Sequence, residues 1–97
     1  LYTLPADYQE FAREVYPGRF LVLGDTGPEV TLLQTRLNQM AARDSTIPAV
    51  TVDGVYGQET ARAVRAVQRS LGYSATGAVG PVLWAYIITQ GQGYGVF

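Results

Sequence analysis

Glycine recurs in this chain at a spacing that leaves few folds open. Gly-x-x-Gly occurs at 24/27, 54/57 and 77/80, and each copy stands just before a run with helical apolar periodicity. Asp53-Gly54-x-x-Gly57 aligns with Thr76-Gly77-x-x-Gly80. The first glycine of such a pair can take the left-handed or extended backbone a tight turn demands, and the second frees a helix N-terminus for close approach. One copy means little. Three copies, each leading into an apolar stripe, predict an all-α fold: a compact three-helix bundle whose helices are opened by Gly-x-x-Gly turns.

The stripes place the helices. From Pro28 to about Ala42, Val30, Leu33, Leu37 and Met40 follow at helical spacing. Pro28 suits a first turn, and Glu29 complements the positive end of the helix dipole. A second helix begins after Gly57, with Ala63, Val64, Val67 and Leu71 on its apolar face and Gly72 as its stop. The third opens at Gly80-Pro81 and buries Leu83, Trp84, Ile87 and Ile88. An additional N-terminal helix is expected over Pro5 to Tyr16, where Tyr8, Phe11 and Val15 share a face and Pro17-Gly18 ends it.

The connections carry weaker signals. Phe20 to Leu23 is a short apolar stretch, and Arg43 to Thr51 is a polar loop ending in an extended run over Val50 to Val52. Tyr73 to Thr76 is a connector. Gly91 to Phe97 holds three glycines without a period and reads as a flexible tail. The expected organisation is residues 1–20 as N-terminal helix and linker, 21–90 as the domain, and 91–97 as the tail.

Ninety-seven residues make one domain, and an apolar content of 47% suffices for a core without staples. A net charge of −1 argues against a nucleic-acid or anionic-membrane binder. The chain has no histidine, no cysteine and no lysine. Thiolate metal sites, cysteine nucleophiles, Ser–His–Asp catalysis and Schiff-base chemistry are therefore excluded. No apolar run reaches the roughly 18 residues of a membrane span, so no membrane insertion is expected. Neither a cofactor nor a metal is expected. The start at Leu1 suggests a slice of a larger protein whose targeting information lies elsewhere.

With the glycines and helices in place, the residues resemble a known family, the small three-helix peptidoglycan-binding domain appended to bacterial cell-wall hydrolases. The resemblance covers roughly residues 21–88. It opens with Leu23-Gly24-Asp25-Thr26-Gly27-Pro28-Glu29-Val30, then Leu33-Gln34 and Leu37. It continues through Val52-Asp53-Gly54-Val55-Tyr56-Gly57, Thr60, Ala63-Val64 and Val67-Gln68, and closes on Thr76-Gly77-Ala78-Val79-Gly80-Pro81 and Trp84. Val67 stands where the family often has an aromatic, and the 43–50 loop is longer than the family's shortest versions.

The resemblance implies non-covalent binding of the wall polymer by a non-catalytic module in the cell envelope or outside the cell, tethering other domains of its parent chain. A glycan carrying short acidic peptides calls for hydrogen-bonding groups, aromatic faces and positive potential. Candidate ligand-binding residues are Gln34, Asp53, Tyr56, Gly57, Thr60, Arg62, Arg65 and Gln68. Each has a structural reading beside it. Asp53 equally satisfies turn N–H groups, Thr60 bonds into its own helix, and Tyr56 packs in the core with a wet hydroxyl. Gln34 and Gln68, each one residue after an apolar position, either bridge to a neighbouring loop or clamp a stem peptide. Arg62, Arg65 and Arg69 form a cationic ridge that either faces water or meets carboxylates. Two other functions stand against binding: a carboxylate-only hydrolase, for which three helices leave little cleft, and a protein–protein docking domain of the same fold, recognisable by an exposed apolar patch.

Overall fold

Pro28 has no N–H to leave unpaired, and Glu29 sets a carboxylate beside the free N–H groups of a first turn, so a helix starts there. The computed structural model describes residues 18–91. Helix α1 spans Pro28–Ala41, α2 Gln58–Ser70 and α3 Pro81–Gly91. They begin one residue after Gly27, Gly57 and Gly80. The described residues contain no strand, only isolated bridges at Leu21–Val79 and Thr26–Val55. The fold is all-helical. The helix expected over Pro5 to Tyr16 and positions 92–97 of the expected tail lie outside the described residues. Gly91, read as the first residue of that tail, is the last of α3.

Burial follows the periodicity. α1 buries Val30, Leu33, Gln34, Leu37 and Met40, one stripe at helical spacing. α2 buries a wider face, Thr60, Ala61, Ala63, Val64, Ala66, Val67 and Gln68, where alanines let neighbouring backbone come close. α3 contributes Leu83, Trp84, Ile87 and Ile88, and it packs chiefly on α1, while α1 meets α2 more lightly. Leu33, Leu37 and Ile87 are fully buried, each contributing about 1.5–3 kcal/mol by leaving water. α2 ends as Gly72 requires. Gly72 has φ +79° and its N–H reaches Arg69 O, while the Tyr73 N–H reaches Gln68 O at 2.9 Å. That pair of bonds is the Schellman closure.

The long 42–57 connection is held from α1. Asn38 donates its amide to Val50 O at 2.8 Å and accepts the Val50 N–H at 2.7 Å. This pins Val50 in the core beside Ile47. The Asn38 side chain thus supplies the pairing a neighbouring strand would give, and the extended run expected over Val50 to Val52 forms no strand.

The turns gather at one end of the bundle. Leu21 and Val79 exchange both backbone bonds, at 3.0 and 2.9 Å. The Gly24 N–H donates to Tyr56 O and the Tyr56 N–H to Asp25 O, both at 2.8 Å, and the Gly27 N–H to Gly54 O at 3.1 Å. These backbone bonds join the stretch from Leu21 to Gly27 to residues 54–56 on one side and to Val79 on the other.

Candidate functional site

The turn before α2 is built around one buried amide. Gln34, 1% exposed on α1, shares the two hydrogens of Nε2 among Asp53 Oδ1 at 3.0 Å, Val55 O at 2.9 Å and Thr60 Oγ1 at 3.0 Å. Its Oε1 accepts the Asp53 N–H at 3.0 Å and the Gly54 N–H at 2.9 Å. Asp53 Oδ1 also takes the Val55 N–H at 3.0 Å, closing an Asx turn. That backbone N–H, followed by the Gln34 amide, holds the Asp53 carboxyl below its ordinary pKa. Gly54 sits at φ +74°, open to glycine at little cost.

The turn before α3 repeats the design with other residues. Gln68, on α2, donates to Thr76 Oγ1 at 3.0 Å and Ala78 O at 3.1 Å, and accepts the Gly77 N–H at 2.9 Å. Thr76 takes the place of Asp53, its Oγ1 accepting the Ala78 N–H at 3.2 Å. The two turns are also coupled directly. Tyr56, with no exposed surface, donates its hydroxyl to Gly77 O, and burial pushes its phenol far above the usual range.

The eight candidate residues therefore divide by burial. Gln34, Tyr56, Thr60 and Gln68 face the interior and hold turns. Asp53 and Arg62 are exposed, while Gly57 and Arg65 are half-buried. Gln34, Asp53 and Thr60 are brought into direct contact, whereas Gln68 belongs to the next turn. Arg65 lies across that next turn: a Cβ on Gly77 would stand 3.1 Å from its Nη1. Arg62, Arg65 and Arg69 follow one another along α2, and none forms an ion pair with a described residue. By contrast, Arg19 pairs with Asp25 at 3.0 Å, and the Val22 N–H together with Arg19 lowers the Asp25 pKa.

Two residues outside the candidate set stand at the same end. Phe20 and Tyr73 are 59% and 51% exposed, yet both border one open groove of about 340 Å³. The Phe20 ring rests on Gly80, where a Cβ would meet it at 2.7 Å. Phe20 reads in the sequence as part of an apolar stretch and Tyr73 as a connector aromatic. Their one available signal is that both fall outside every helical stripe.

Among the described residues, no three acidic side chains converge as metal ligands do, and no helix is long and apolar enough to cross a membrane. Residues 26–87 match the model of the family described as "Putative peptidoglycan binding domain". No curated protein matches the chain.

Proposed function

The chain belongs to the peptidoglycan binding domain family, and from that membership we propose that it is a non-catalytic module tethering a larger bacterial protein to its cell wall. The observation that carries this reading is the arginine ridge of α2. Three guanidinium groups stand along one helix face without an acidic partner among the described residues. A repetitive polymer bearing peptide carboxylates supplies the missing charge. Asp53 and Gly57 border the start of the same helix, where amide groups of a stem peptide can exchange hydrogen bonds. Gln34, Tyr56, Thr60 and Gln68 contribute from behind by fixing the turns.

Such a surface is shallow, so one module binds modestly and gains from a catalytic neighbour or further copies through effective concentration. The working place of the module is then the cell envelope or the exterior. Sedimentation of the 97-residue chain with insoluble peptidoglycan, against cellulose, tests the reading. Retention on peptidoglycan alone, weakened by Arg62→Ala, is expected. Arg62 is solvent-exposed, so its removal leaves the fold intact. Equal retention on both polymers, or on neither, sinks the proposal.

A further inference from the structure

The loop that Arg65 crosses borders a second surface of different chemistry. Phe20, Tyr73 and Val82, the last 70% exposed, line the groove of about 340 Å³, a volume within the range of small-ligand clefts. Among the described residues, none that lines it is charged. Its apolar lining includes Phe20, Pro81, Val82 and Leu83, and the hydroxyl-bearing residues Tyr73, Ser74 and Thr76 line it as well. Thr76 Oγ1 already accepts hydrogen bonds from Gln68 Nε2 and the Ala78 N–H. Both lone pairs are thereby occupied, and what remains to offer is the O–H proton.

Charge complementarity separates the two surfaces. A peptide carboxylate entering the groove would lose water and find no cation among the described residues, whereas on the α2 ridge it finds three. An N-acetylglucosamine ring brings no charge. Its C–H face packs on an aromatic ring, its hydroxyls and acetamido carbonyl take O–H donors, and its acetyl methyl needs apolar wall. We propose that the Phe20–Tyr73 groove seats an N-acetylated sugar ring of the glycan strand. The aromatic rings pack on its face, the Thr76 hydroxyl donates to the acetamido carbonyl, and the methyl lies toward Val82. The assignment rests on the wall-binding reading above and divides that ligand in two, with glycan in the groove and stem peptide on the ridge. The 73–80 loop joins the halves, since Arg65 lies over Gly77, next to Thr76.

Three probes test it with the whole chain: intact peptidoglycan, glycan strands stripped of peptides by an amidase and with the lactyl carboxylates this frees capped as methyl amides, and free stem peptide as competitor. Retention on intact wall and on stripped strands is expected. Tyr73→Ala should weaken both about tenfold, and Val82→Asp should do the same by placing a charge in the groove. Both side chains are at least half exposed, so these variants fold, which circular dichroism verifies. Arg62→Ala should weaken binding to intact wall alone. If intact wall is retained but stripped strands are not, or if neither groove variant weakens them, the glycan assignment is overturned while wall binding stands. Displacement from intact wall by free stem peptide would then place the peptide in charge of binding. Absence of binding to intact wall overturns both readings.

Discussion

Gln34 and Gln68 perform the same task one helix apart. Each donates through Nε2 to a turn carbonyl and a side-chain oxygen, and each accepts a turn N–H on Oε1. Each of the first two helices thus fixes the turn that starts the next. Leucine in their place keeps much of the volume but strands the turn groups. Gln34 serves five of them and Gln68 three. Gln34→Leu should therefore cost about 3 kcal/mol and Gln68→Leu about 2 kcal/mol. Urea midpoints at constant m-value measure the difference. A loss below about 1 kcal/mol at Gln34 would mean that water replaces the amide without penalty.

Helix starts, stripes and the burial of Trp84 are legible in the sequence because each depends on local spacing. The role of Gln34 is not, because the same amide can bridge a loop or grip a ligand, and only its five bonds inside the protein separate the two. Burial divides Tyr56 from Arg62 in the same way, though both stand near one glycine turn. The groove is the least legible part. Phe20 precedes α1 and Tyr73 follows α2, and no period relates them. They share a groove because the Leu21–Val79 bridge lays one stretch beside the loop of the other.

The glycines of the second turn differ in what they need. Gly54 sits at φ +74°, and a Cβ there would stand 3.0 Å from Thr31 Oγ1. Gly54→Ala should cost about 1–2 kcal/mol from the left-handed backbone, visible as a lowered Tm. Gly57 has φ −100° with nothing near an added Cβ, and it caps α2 without a side-chain bond. Gly57→Ser should instead stabilise by about 0.5 kcal/mol, supplying a cap and restricting the unfolded chain. If that more stable variant binds peptidoglycan less well, the second glycine serves ligand approach rather than folding.

Stability should fall at both ends of the pH range. Asp25 and Asp53 have depressed folded pKa values, chiefly through the Val22 and Val55 N–H groups. Their contribution is present above the unfolded value near about 4 and is lost as pH falls through the lower folded value. Tyr56 runs the other way. Burial raises its pKa, so its contribution holds below about pH 10 and is lost as pH rises further. Tm measured from acid to alkali should show a plateau between these limits. Asp53→Asn, which keeps an acceptor for Val55 and Gln34, should flatten the acid limb without unfolding the protein, and an unchanged limb would assign it to Asp25 and other carboxylates.

Salt separates the ridge from the groove. Arg62 and Arg69 are exposed, so each pairing with a wall carboxylate is worth about 0.2–1 kcal/mol, and added ions screen it. Between about 0.01 M and 1 M salt the Debye length shrinks from about 30 Å to about 3 Å. Retention on intact peptidoglycan should drop several-fold across that range, and retention on the peptide-free glycan strands with capped lactyl carboxylates should barely change. Arg62→Glu and Arg69→Glu should each lower binding to intact wall at low salt and converge on the wild type at high salt. Arg65→Ala should add a smaller, salt-independent loss, because the guanidinium also packs across Gly77. Binding to intact wall that ignores both salt and these substitutions would move the peptide contact off α2, and the groove alone would then have to account for retention.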